Sequence, residues 1–178
     1  IADEWVPIKP GTDGALILAI TREILDKGLF DRDFLVRYTN AAELVIDDPS
    51  RDDHGLFYRA EMHVEPDCFD PQNKLWWDRD IDGPISTHTP GVDPRLMGRY
   101  VLPDGTPVKP SFQLLKERLE QYTPEWAAPI TGIPADTIRR LAHEMGVTAR
   151  DQKIELPIKW TDCWDDEHES VTGNPVAF

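Results

Sequence analysis

The residues best suited to chemistry lie in the turn Pro10-Gly11-Thr12-Asp13. Proline fixes φ and glycine admits backbone angles that other residues avoid, so the pair makes a sharp turn. Thr12 or Asp13 then caps a helix by accepting a bond from a free N–H in its first turn. A short strand over residues 5–8, a glycine turn and a helix N-terminus present backbone donors and a carboxylate to a nucleotide. The competing reading of the same residues is a capped turn with no ligand. A second set, Lys159-Trp160-Thr161-Asp162, follows an expected strand over residues 153–158. Ligands of open α/β sheets collect at such carboxyl ends. The competing reading there is a solvated loop with a buried Trp.

Other reactive side chains argue for less. The acidic run from Asp162 to Glu169 contains cation-ligand types, but its spacing fixes no geometry, so a solvated loop is expected. Asp78-Arg79-Asp80-Ile81-Asp82-Gly83 has the outline of a calcium loop, yet Thr89 stands where the closing Glu is needed, so a turn is expected. His54, His63, His88, His143 and His168 show no metal-ligand spacing. No Ser/His/Asp or Cys/His nucleophile set can be assembled. Cys68 and Cys163 match no Cys-x-x-Cys pattern and frame no disulfide-rich fold.

Around these residues, Leu16, Ile17, Ile20, Ile24 and Leu25 predict one apolar face of a helix that Gly28 ends. Asp31 caps a short helix over residues 32–38, with Phe34, Leu35 and Tyr38 inward. Leu44-Val45-Ile46 reads as a strand. From residue 49 to 110 Pro and Gly recur and helical periodicity stops, which predicts an irregular insertion with short strands. Phe57, Tyr58, Phe69, Trp76, Trp77, Ile81, Tyr100, Val101 and Leu102 anchor it, with Trp76-Trp77 as a packed anchor or a partner contact. Residues 100–108 predict a hairpin turning at Asp104-Gly105. Ser111 caps a helix over residues 112–122, and Thr123-Pro124-Glu125-Trp126 begins another helical turn. Pro134 opens a helix whose stripe is Ile138, Leu141, Ala142 and Met145 and whose end is Gly146. The strand over residues 153–158 and a polar loop over residues 160–168 follow. Strands alternating with helices indicate an α/β layer fold. Three parts are expected: a βα segment over residues 1–48, the insertion over residues 49–110, and a return to the α/β domain over residues 111–178.

The chain has 178 residues and 19 Lys+Arg against 33 Asp+Glu, a formal net charge of −14. That balance argues against a nucleic-acid backbone or an anionic membrane surface as partner, since both are negative. No apolar run reaches the roughly 20 residues of a membrane span. The chain opens at Ile1 and closes on an apolar run, so a piece of a longer polypeptide is expected.

Three stretches carry a family likeness: residues 2–16 with Gly28-Leu29-Phe30-Asp31-Arg32-Asp33-Phe34, residues 131–142, and residues 155–162 running into Gly173-Asn174-Pro175-Val176-Ala177-Phe178. Together they resemble the catalytic subunit of the molybdopterin oxidoreductases, the dimethyl-sulfoxide-reductase superfamily. The middle insertion is most similar to the sulfite-dehydrogenase and thiosulfate-reductase type within it. The resemblance implies a Rossmann-like dinucleotide-binding layer within a multidomain subunit that carries molybdenum between two molybdopterin guanine dinucleotides. It implies two-electron redox of a small, sulfur-oxyanion-like substrate. It places the guanosine end of one cofactor at Gly11, Thr12 and Asp13, with Asp13 accepting the ring N–H and exocyclic amine of guanine. It brings Lys159, Trp160 and Thr161 near the cofactor. It implies as partners the rest of the catalytic subunit, a membrane anchor subunit, and an iron–sulfur electron-transfer subunit, without nucleic acid. A cytoplasmic or membrane-associated location follows, with the periplasmic side left open. The chain departs from the family pattern in lacking the cluster cysteines, whose 4Fe-4S cluster is expected upstream, and in having no assignable metal ligand. It should therefore hold cofactor contacts and no catalytic residue. The competing function is a non-catalytic acidic α/β binding or assembly module without bound cofactor.

Overall fold

The computed structural model describes residues 4–60 and 73–174. Cys68, His63 and Phe69 lie outside the described residues. The chain divides into two compact units, one made of residues 1–31 and 119–178, the other of residues 32–118. The expected three-part division at residues 48 and 110 therefore gives way to a discontinuous unit and a continuous one. Contacts between distant residues, not composition, set the boundary.

The discontinuous unit is built on three helices: α1 (Asp13–Asp26), α4 (Pro124–Thr131) and α5 (Ala135–Asp151). Its core is Ala19, Ile20, Ala127, Ile133, Ile138 and Ala142, with Val6, Ile8, Leu16, Ile24, Leu141 and Met145 packed against it. Three of these core residues are alanines of negligible exposure. Removing the bulk of a side chain there lets helix axes approach closely. The predicted faces of α1 and α5 hold, except that Ile17 is 48% exposed. Gly146 does not end α5. The helix continues to Asp151, and an added Cβ at Gly146 would meet Leu29 Cβ at 2.7 Å and Ile24 Cγ1 at 3.5 Å. The glycine marks a close approach of α5 to the segment after α1. α4 is capped by Thr123, whose hydroxyl accepts from the Trp126 N–H at 3.1 Å. It ends at Gly132, in the left-handed region at φ +80°.

Residues 5–8 form no strand. Val6 and Ile8 pack against the helical core, and Trp5 is 84% exposed. Beyond α5 the expected single strand and polar loop are four short strands: β6 (Ile154–Leu156), β7 (Trp160–Thr161), β8 (Glu167–His168) and β9 (Val171–Gly173). β6 pairs with β9 and β7 with β8, both antiparallel, giving one hairpin nested beyond another. Every strand residue of this arm except His168 and Val171 is exposed.

The continuous unit contains α2 (Arg32–Tyr38), β1 (Leu44–Ile46), β2 (Leu75–Asp78), β3 (Gly83–Ser86), β4 (Tyr100–Val101), β5 (Pro107–Pro110) and α3 (Ser111–Leu119). One antiparallel sheet runs β1-β5-β4, and β2 and β3 form a hairpin. The expected turn at Asp104-Gly105 is present: the Gly105 N–H donates to Leu102 O at 2.8 Å, and Asp104 Oδ1 accepts from the Thr106 N–H at 2.9 Å. Residues 79–82 are the expected turn, joining β2 to β3. The core is Leu44, Trp77, Leu102 and Val108, and Trp77 stacks on Tyr100 at 4.2 Å between centroids. Contrary to the inward face expected of α2, none of its residues is buried, and Phe34 and Tyr38 are 55% and 71% exposed. Their rings meet each other at 5.2 Å instead. The chain is thus a mixed helix-and-strand structure. Every strand pairing among the described residues is antiparallel, so the parallel sheet of a Rossmann-like layer is not formed within them.

Candidate functional site

The turn before α1 is held from a distance. The Lys9 N–H donates to Thr131 O at 3.0 Å, and Lys9 Nζ donates to Pro129 O at 2.9 Å. Lys9 thereby satisfies two carbonyls at the end of α4, which an α-helix leaves without internal partners. The Thr131 carbonyl is worth securing, because Thr131 is fully buried. Its hydroxyl donates to Ala127 O at 3.0 Å and accepts from the Ile133 N–H at 3.2 Å. Four residues after Lys9 the chain enters α1.

Gly11 makes the turn at φ +78°, with nothing within 4 Å of the position a Cβ would take. Its conformation requires glycine, and the space beside it is open. Thr12 occupies the N-cap position but does not cap with its side chain. Its hydroxyl turns back to donate to Lys9 O at 2.7 Å, and its carbonyl accepts from Ala15 N–H at 3.0 Å. Asp13 is the first residue of α1 and is exposed. The expected cap is thus absent, and the N–H groups of Asp13 and Gly14 have no backbone partner among the described residues. An exposed carboxylate beside uncapped helical N–H groups and an open turn can accept paired donors while the N–H groups meet an anionic oxygen. Gly11, Thr12 and Asp13 thus offer solvent one carboxylate acceptor beside two backbone donors.

The second expected set lies on the arm. Lys159, Trp160 and Thr161 line a cleft of about 180 Å³ together with Glu167, His168 and Glu169. Trp160 is not buried, being 44% exposed; it stacks on His168 at 4.5 Å and its indole N–H donates to Ser170 O at 3.0 Å. Lys159 Nζ pairs with Glu169 at 2.7 Å. Asp162 organises the end of the hairpin. Its Oδ1 accepts from the Trp164 and Asp166 N–H groups at 2.9 and 3.0 Å, and its Oδ2 lies 3.1 Å from His168 Nε2. The His168 bond, then the backbone donors, hold the Asp162 carboxyl below its ordinary range. Sequence reasoning misses Asp162 and His168 as a pair because alternation is invisible in two-residue strands. Gly11, Thr12 and Asp13 are not among the residues lining this cleft, so the two expected sets are not brought into one pocket. No group of three or more His, Cys, Asp or Glu able to hold a metal ion occurs among the described residues. No helix is long and apolar enough to cross a membrane among them.

No protein-family model matches the chain. Over all 178 residues it is 98% identical to a sulfite dehydrogenase subunit of Allochromatium vinosum, covering 18% of that protein. It is 31% identical to the alpha subunit of perchlorate reductase from Dechloromonas aromatica, over 85% of this chain and 19% of that one. It is 30% identical to a dimethyl sulfoxide reductase of Haemophilus influenzae, over 82% of this chain and 12% of that one. The chain spans less than a fifth of the length of these curated relatives.

Proposed function

The chain belongs to the catalytic subunits of the molybdopterin oxidoreductases, the dimethyl-sulfoxide-reductase superfamily, and we propose that it serves an oxidoreductase of small sulfur oxyanions by holding the guanosine end of a molybdopterin guanine dinucleotide. The near-identity to a sulfite dehydrogenase subunit carries the substrate class. The exposed Asp13 at an uncapped helix start supports the cofactor contact. When bound, the molybdenum centre supplies the two-electron redox chemistry.

In this reading the Asp13 carboxylate accepts the ring N–H and exocyclic amine of guanine. The N–H groups of Asp13 and Gly14 receive a ribose or phosphate oxygen. Gly11 keeps the approach clear, and Lys9 holds the turn to α4. Lys159, Trp160 and Thr161 face the cofactor from the arm. The relatives are themselves named as subunits, which supports further chains in the complex. Here these are a membrane anchor and an iron–sulfur electron-transfer protein, with a 4Fe-4S cluster upstream in the catalytic chain.

Charge-assisted hydrogen bonds contribute about 1.5–3 kcal/mol. Asp13→Ala should therefore weaken GMP binding to the cofactor-free protein roughly ten- to hundredfold. It should also lower the pterin and molybdenum content of the purified intact enzyme. Equal GMP affinity in the two proteins, with equal cofactor content, would remove the assignment.

A further inference from the structure

The ladder of β6 and β9 on the arm has two unlike faces. Opposite residues of an antiparallel pair point to one side, and alternate residues along a strand share it. The register sets Ile154 against Gly173, Glu155 against Thr172 and Leu156 against Val171. Ile154, Leu156 and Val171 therefore lie on one face, and Glu155 and Thr172 on the other. The polar face is tied to its own turn, since Glu155 Oε1 accepts from the Ser170 hydroxyl at 2.7 Å. The apolar face is open: Ile154 and Leu156 are 42% and 41% exposed, and no residue of the ladder is buried.

Such a ladder does not hold itself. A lone two-stranded pair is marginal in water, and it becomes stable when a third strand joins it or another surface packs on its apolar face. Among the described residues β6 pairs with β9 and with no third strand. The composition of the face indicates the kind of surface that covers it. Contacts between separable proteins are anchored by Trp, Tyr and Arg, with Leu and Val under-represented. Ile154, Leu156 and Val171 carry no charge and no aromatic ring, the make-up of a domain core. The chain spans 18% of the sulfite dehydrogenase subunit it matches at 98% identity, so most of a subunit of that length lies outside residues 1–178. A surface on the same polypeptide also meets the ladder at the high effective concentration that a covalent tether gives.

We propose that the apolar face of β6 and β9 is a docking surface for the remainder of the same polypeptide, which packs an apolar surface of its own on Ile154, Leu156 and Val171. The arm is thereby a clasp within one chain, and its docking does not depend on the guanosine contact at Asp13.

Hydroxyl-radical footprinting of the purified intact catalytic subunit tests the proposal, because side-chain oxidation reads solvent access at Ile154 and Leu156 directly. Both should react at least ~tenfold more slowly in the native subunit than in the urea-unfolded one, a stronger protection than their exposure in the arm alone allows. The measurement is made on the subunit without its partners and at concentrations where it is monomeric. Oxidation at the rate set by 41–42% exposure would overturn the proposal. Protection that needs another subunit would give the face to that partner, and protection lost on dilution would give it to a second copy; either result overturns the proposal too. Leu156→Asp should lower the thermal midpoint of the intact subunit, whereas Thr172→Asp, on the opposite face, should leave it unchanged. Equal midpoints in the two variants would overturn the docking. The footprint is read on the unaltered protein, so it decides even where Leu156→Asp does not fold.

Discussion

A single lysine decides the electrostatics of the continuous unit. Lys109 is 4% exposed, yet charged. Its Nζ lies 2.8 Å from Asp47 Oδ1 and 2.6 Å from Glu117 Oε2, and Glu117 also accepts from Arg99 at 2.8 Å and Gln113 at 3.0 Å. Burial alone would push the Glu117 carboxyl up, but its bonds to Lys109, Arg99 and Gln113 outweigh it and hold it at about 2, against an ordinary 4.5. A carboxyl depressed in the folded state contributes stability that is complete above its unfolded pKa. That contribution is lost as pH falls through the folded one. Acidification from 4.5 towards 2 should therefore erode stability, and Glu117→Gln should flatten that part of the curve. Denaturant unfolding followed across this range checks it; an unchanged slope in the variant would show that other carboxylates carry the effect. Lys109→Ala should cost more at neutral pH, about 1.5–3 kcal/mol, because it removes the buried cation between Asp47 and Glu117 and leaves Arg99 alone to pair with both. Neither partner of Lys109 is legible in the sequence, since ion pairing between a strand, a loop and a helix leaves no local pattern.

Elements were legible where the neighbouring residues alone determined them. The period of Ile138, Ala142 and Leu141 gave α5, and Asp104-Gly105 gave the β4–β5 turn. What failed was whatever a distant residue decides. Gly146 carries the signature of a helix end, but Leu29 and Ile24 pack where its side chain would be, and the helix passes through. Gly146→Ala should then destabilise by about 1–3 kcal/mol, although alanine favours helices. Thermal unfolding decides it; a stabilised variant would mean the contact with Leu29 yields freely. The apolar spacing of Phe34 and Tyr38 on α2 predicted burial, but a two-turn helix has no face committed by length alone, and both remain exposed. The turn at Gly11 was legible as a turn, while the missing cap at Thr12 was not, because its hydroxyl is turned back to donate to Lys9 O instead of accepting from a helical N–H. On the arm β6 falls within the strand expected over residues 153–158, while β7, β8 and β9 were hidden in a run of polar residues, where pairing rather than burial defines them.

At the scale of the whole chain, the net charge of −14 opposes compaction. Raising ionic strength from about 0.01 M to 0.15 M shortens the screening length from about 30 to about 8 Å. The thermal midpoint should rise over that range, since long-range repulsion is screened more than contacts a few ångströms apart. A falling midpoint would show that the surface ion pairs outweigh the repulsion. The discontinuous unit has a consequence for how the protein is made. α1 ends at Asp26, and α4, its first packing partner, begins at Pro124. During translation at about 5–20 residues per second, roughly 5–20 s separate the two. Ala19, Ile20 and Ile24 leave the ribosome before Ala127, Ile133, Ile138 and Ala142, the core residues they pack with here, while residues 32–118 are synthesised as one uninterrupted run. The nascent chain must keep the apolar face of α1 out of wrong company until α4 and α5 have been translated.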